Sequence, residues 1–130
     1  MKRCSALRTL SNEHHHGLVL ATRAKKAAGT EAAGKAWQQI QVRFAAEMEP
    51  HFQAEEMGLL PALERVGETE LVRRTHADHA ELRRMIREGG VQAMTGFAEL
   101  LIQHIRFEER ELFETAQQKI PAAELDTLAN

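Results

Sequence analysis

The stretch His51-Phe52-Gln53-Ala54-Glu55-Glu56 returns in kind as His104-Ile105-Arg106-Phe107-Glu108-Glu109, and apolar pairs follow each copy at Leu59-Leu60 and Leu112-Phe113. Every matched position is offset by fifty-three residues, so the two copies share one register. Residues four apart on a helix are neighbours, which puts His51 beside Glu55 and His104 beside Glu108. An imidazole and a carboxylate side by side on each of two helices form a donor set that hard-to-borderline metal ions accept. The doubled pattern asks for two helices that face each other, and the rest of the chain reads as the remainder of such a bundle.

Ala, Leu, Glu, Gln, Arg and Met fill the segments, and the alternation of a β-strand is absent. Punctuation divides the chain into four helical blocks. The first is expected over residues 12–28, capped by Ser11, with Leu7 and Leu10 in an arm folded onto the bundle. Its inward stripe is read as His14, Leu18, Ala21 and Lys25. The second begins at Glu31 or Lys35 and ends at Arg65, with Trp37, Ile40, Phe44, Met48, Phe52, Leu59, Leu60 and Leu63 at helical spacing. Pro50 and Pro61 predict kinks within it, since proline removes a donor and clashes with the preceding turn. The third runs from Thr69 to Glu88 with Val72, Thr75, His79, Leu82 and Ile86 inward, and Gly89-Gly90 ends it. The fourth runs from Val91 to Lys119, stops before Pro121, and leaves a tail with room for one short turn. Four amphipathic segments joined by short links predict an all-α fold, an antiparallel up-and-down four-helix bundle, in a single domain over residues 1–130.

Composition excludes several function classes. A net charge of -2 without strong asymmetry gives no signal for nucleic acid or an anionic membrane. Five arginines in the third block (Arg73, Arg74, Arg83, Arg84, Arg87) are interleaved with Asp78, Glu81 and Glu88, a mixed solvated face. No apolar run is long enough to span a bilayer, the start lacks an apolar signal core, and the one cysteine, Cys4, cannot pair internally; a cytoplasmic location is the expectation.

The candidate chemistry lies in the histidines. His14 and His79 fall on the inward stripes of the first and third blocks, so every block aims an imidazole at the core, with Glu55 and Glu108 beside two of them. Burying unpaired carboxylates costs several kcal/mol each unless a cation or partner compensates. Glu56 and Glu109, one step round their helices, are expected on a solvated face or as outer supports of the site.

The pattern Asn-Glu-His14, His51-x-x-x-Glu55-Glu56, Asp-His79-x-x-Leu-Arg and His104-x-x-x-Glu108-Glu109 resembles the hemerythrin-like (HHE cation-binding) family over essentially the whole chain. The resemblance implies a non-haem, carboxylate-bridged di-iron centre. Carried over residue by residue, its metal ligands are His14, His51, Glu55, His79, His104 and Glu108. His15 is the alternative to His14, because His14, His15 and His16 are consecutive. His76 is a further candidate: oxygen-carrying hemerythrins supply two histidines four apart from the third helix, whereas His76 and His79 are three apart.

The function so implied is binding of a small oxidant (dioxygen, nitric oxide or peroxide) for carriage, sensing or scavenging, with no nucleic-acid or membrane partner. The alternatives are a di-iron oxidase or peroxidase and, more remotely, a metal-free structural bundle.

Overall fold

The computed structural model describes residues 3–128, and these are helical almost throughout, with no strand among them. Helix α1 is Ser5–Ala27, α2 covers residues 33–65, α3 is Thr69–Glu88, and α4 covers residues 94–119 after the single tight turn Val91–Ala93. A short α5, Ala122–Leu128, follows Pro121.

The last three expected blocks stand where the sequence put them, and the first does not. Helix α1 begins at Ser5, so Leu7 and Leu10 are buried helical residues and not an arm. Ser11 is not a cap; its hydroxyl donates to Glu109 Oε2 at 2.6 Å. The inward face of α1 also sits one residue round from its expected place. Leu18 is 41% exposed and Lys25 is exposed, while Gly17 is buried in the stripe. A Cβ on Gly17 would lie 2.9 Å from the Ile105 side chain and 3.2 Å from that of Met48. Close approach of α4 and α2 therefore selects glycine there and turns the bulkier Leu18 outward.

The chain leaves α2 through Gly67, whose positive φ of 88° suits a residue without Cβ. Glu68 N–H donates to Leu63 O and Gly67 N–H to Glu64 O, the two bonds of a Schellman motif that returns the chain towards α3.

Two apolar clusters fill the interior. One gathers Leu20, Ala24, Trp37, Phe44, Met48, Phe52, Leu82, Phe97 and Leu101, with others; the second gathers Leu7, Leu10, Leu59, Leu63, Val72, Phe107, Phe113 and Leu125, with others. Along α1 and α3 the buried histidine falls between the residues of one cluster and those of the other, and along α2 and α4 the His and Glu positions lie where the two clusters meet. Helices α1 and α3 meet the second cluster first, and α2 and α4 meet the first cluster first. The result is a polar layer enclosed above and below by hydrocarbon.

Neither proline breaks α2. The backbone widens into π turns at Phe44–Met48 and Glu55–Leu59, and each proline follows its turn by two residues. In these turns bonding shifts to i→i+5, as with Glu49 N–H to Phe44 O and Leu60 N–H to Glu55 O, so the helix passes the missing donor without stopping. Helix α4 has the same wide turn at Glu108–Leu112, where Glu114 stands at the position corresponding to Pro61. Proline is therefore not what makes the turn. Two of the three wide turns open on a buried carboxylate, Glu55 or Glu108, and the third opens on buried Phe44.

Candidate metal centre

Four helices bring six residues into the polar layer: His14 from α1, His51 and Glu55 from α2, His79 from α3, His104 and Glu108 from α4. All are buried, and Glu55, His79 and Glu108 have no exposed surface. They form two overlapping groups, His14–His51–Glu55–Glu108 and Glu55–His79–His104–Glu108, and within each the donor atoms lie within 4.8 Å of one another. The two groups share both carboxylates.

Each carboxylate divides its oxygens between the groups. Glu108 Oε1 lies 2.8 Å from His14 Nε2 and 3.9 Å from His51 Nε2, while its Oε2 lies 3.2 Å from His104 Nε2 and 4.0 Å from His79 Nε2. Glu55 Oε2 lies 3.3 Å from His51 Nε2, and its Oε1 lies 3.1 Å from His79 Nε2. Every imidazole thus turns Nε2 inward. Its Nδ1 is hydrogen-bonded outward to a carboxylate: His14 to Glu109 at 2.7 Å, His51 to Glu13 at 3.0 Å, His79 to Glu56 at 2.7 Å and His104 to Asp78 at 2.9 Å. A carboxylate only accepts, so each Nδ1 carries a proton; Nε2 of His51, His79 and His104 has no hydrogen-bond partner and is open to a cation, whereas His14 Nε2 is hydrogen-bonded to Glu108 Oε1 at 2.8 Å.

Whether these residues fit a metal is answered by the hydrogen-bond inventory. Among the described residues, the buried side-chain polar atoms lacking a hydrogen-bond partner are Trp37 Nε1 and six atoms of this layer: Nε2 of His51, His79 and His104, both oxygens of Glu55, and Oε2 of Glu108. Buried polar groups are rarely left unpaired, and here they converge on the same two positions. Nitrogen and oxygen donors so arranged fit cations.

Electrostatics agree. Burial opposes protonation of His51, yet the nearby carboxylates of Glu55, Glu108 and Glu13 outweigh it and push its pKa up to about 12. Burial likewise opposes a charged His104, but Glu108 and Asp78 raise it to about 10. His14 and His79 are raised against burial by Glu108 with Glu109 and by Glu55 with Glu56 respectively. Burial disfavours a charged Glu108, but His104, His14 and His51 hold it well below the usual carboxylate range. The layer stabilises positive charge at its centre, and a metal ion bound there competes with protons for the same imidazoles.

The surrounding residues are tied down in turn. Arg83 bridges Glu56 and Glu49, Arg3 and Ser11 hold Glu109, and Glu56 and Glu109 are lowered to about 2 against the effect of burial. Arg83 is therefore part of the site's support and not of a solvated face. Phe52 stacks on His79 with centroids 3.8 Å apart, and Phe113 stacks on His14 at 5.4 Å.

Of the residues singled out in the sequence, the six principal candidates come together. His15 and His76 do not: both are exposed, away from the layer. His14 is the inward member of its triplet, although Leu18, which had argued for it, points out. Sequence reasoning missed Glu13 as the partner of His51 and Asp78 as that of His104. The available signal was that an acidic residue immediately precedes His14 and His79 and immediately follows Glu55 and Glu108.

Comparison with curated proteins and with solved structures returned no match. A family description does match: residues 5–116 correspond to the hemerythrin HHE cation binding domain, a span that contains all six buried His and Glu residues, and the chain belongs to that family.

Proposed function

We propose that this chain is a non-haem di-iron protein that binds dioxygen or a related small oxidant. The supporting observation is the division of oxygens: Glu55 and Glu108 each present one oxygen to the His14–His51 side and one to the His79–His104 side. Two ions would be held between Glu55 and Glu108, one beside His14 and His51 and the other beside His79 and His104.

Iron in such a donor set supplies the redox chemistry by which small oxidants are bound or reduced. The chain's own residues hold the Nδ1 protons on four outer carboxylates, fix the imidazole planes by stacking on Phe52 and Phe113, and exclude bulk water with the two apolar clusters. Anaerobic reconstitution with Fe²⁺, followed by metal analysis and optical spectroscopy, tests the reading. About two iron ions per chain, and a charge-transfer band on exposure to oxygen, are expected; fewer than one ion per chain would sink it.

A second reading, a di-iron oxidase or peroxidase, is favoured by the exposure of His76. Without that residue each side of the centre has two histidines, not the unequal set of oxygen-carrying hemerythrins. A reversible band on removing and restoring oxygen marks a carrier, whereas sustained consumption of peroxide marks an enzyme.

A further inference from the structure

Three phenylalanine rings border the histidine layer, and each meets an arginine as well. Phe113 contacts His14 and Arg3, Phe52 contacts His79 and Arg83, and Phe107 contacts His104 and Arg74. The guanidinium of Arg3 is held by Glu109 and Glu114, and that of Arg83 by Glu49 and Glu56. Arg74 has no comparable hold. Its guanidinium rests 4.0 Å from the Phe107 centroid, Glu111 stands 3.8 Å away, and half of the side chain is exposed. The layer is closed firmly at two of these places and loosely at the third.

At that third place the surface is grooved. Two adjoining hollows between α3 and α4 share Arg74, Phe107 and Glu111. Phe107 lines both, and its ring centroid lies 6.3 Å from that of His104, so one ring separates the groove from a residue of the centre. Arg73 and Glu70 border one hollow and engage each other. Arg106 and Arg110 border the other. They stand one turn apart on the exposed face of α4 and form no ion pair among the described residues. Four arginines against two glutamates make this groove positive on a chain whose net charge is -2.

We propose that the α3–α4 groove docks an acidic protein that donates one electron to the centre from the His104 side. This inference rests on the di-iron reading above, because iron oxidised by a small oxidant returns to the ferrous state only with electrons from outside the centre. In each encounter the donor loses one electron, one ferric ion becomes ferrous, and no bond forms or breaks between the two proteins. Carboxylates of the donor meet Arg106 and Arg110, which have no ion pair to give up, and the docked donor lies one ring from His104. Charge contacts of this kind speed encounter and fix orientation, and electron-transfer complexes are accordingly small and salt-sensitive. Nucleic acid fits the groove less well, since Glu70 and Glu111 border it and would face the phosphates.

The test uses the iron-loaded full chain, without oxygen, and an acidic plant-type [2Fe–2S] ferredoxin as the probe. Calorimetric titration with the oxidised ferredoxin reads docking, and rapid mixing with the reduced ferredoxin reads electron transfer. Docking that weakens with added salt is expected. Arg106→Glu combined with Arg110→Glu is expected to lower both the affinity and the second-order rate on the order of tenfold. The iron content and optical spectrum of this variant stay those of the unsubstituted chain, because the buried donors are untouched. Lys26→Glu, which reverses an exposed charge on α1, leaves affinity and rate unchanged. An affinity or a rate in the double variant equal to that of the unsubstituted chain would overturn the proposal while leaving the centre intact. So would the absence of ferredoxin binding, or tighter binding of single-stranded DNA than of ferredoxin. Failure of the unsubstituted chain to take up iron at all would overturn the di-iron reading, and this proposal with it.

Discussion

Glu13, Glu56, Asp78 and Glu109 each adjoin a member of the buried cluster in sequence, yet each accepts a hydrogen bond from a histidine on another helix. Adjacency on a helix turns two side chains about 100° apart, so a residue next to an inward donor points at the neighbouring helix. The outer carboxylates therefore both orient the imidazoles and stitch the helices together. Replacing Glu13 by Gln or Asp78 by Asn keeps the shape and removes the charge; each is expected to weaken metal affinity by roughly 10–100-fold, measurable by competition with a chelator of known affinity. Glu55 and Glu108 are a harsher case. Glu55→Ala and Glu108→Ala are each expected to lose the paired centre, and retention of two ions by either variant would refute the bridging role. His15→Ala and His76→Ala, both on exposed surface, leave metal stoichiometry unchanged.

Helices α2 and α4 share a device at the element scale: a π turn opening on the inward glutamate. A wide turn holds one more residue than an α-turn, so it shifts the inward stripe by one position beyond each buried glutamate. Glycines test the packing around these elements, with opposite signs. Gly58 lies within the Glu55–Leu59 turn, and a Cβ there would stand 2.4 Å from the Leu128 carbonyl oxygen, a backbone atom that moves only with α5. Gly58→Ala is expected to cost about 1–3 kcal/mol in denaturant unfolding and to remove amide-exchange protection from residues 122–128. Gly34, near the start of α2, has nothing within 4 Å of a Cβ, so Gly34→Ala is expected to stabilise the chain by about 1 kcal/mol. A loss of stability at Gly34, or none at Gly58, would show that the helix contacts differ from those described.

Across the whole molecule, two apolar clusters and one polar layer divide the labour. The clusters supply the folding energy, and the layer holds carboxylates and imidazoles whose mutual repulsion or desolvation a cation relieves. Metal that binds only the folded chain raises stability by mass action, about 2.7 kcal/mol at a free concentration near 100 Kd. The iron-loaded chain should accordingly melt above the chelated one by several degrees, and coincident melting curves would contradict a buried centre. Periodicity alone made the inward faces of α2, α3 and α4 legible, because Trp37 to Leu63, Val72 to Ile86 and Met94 to Phe113 fill stripes wide enough to survive a local change of turn. The doubled His-x-x-x-Glu pattern likewise made the centre legible, since four-residue spacing fixes neighbours within one helix. Helix α1 was not legible to the same degree. Its alanine-rich face gives little contrast between inside and outside, and the choice among His14, His15 and His16 turns on which face passes Ile105 and Met48 closely enough to demand Gly17. The sequence by itself determined the helices, the two His/Glu pairs and the family. Only the tertiary structure decided that His14 is inward while His15 and His76 are not, that Glu13 and Asp78 support His51 and His104, and that each buried carboxylate faces both halves, because these are relations between helices, and spacing along a chain constrains only the face of one.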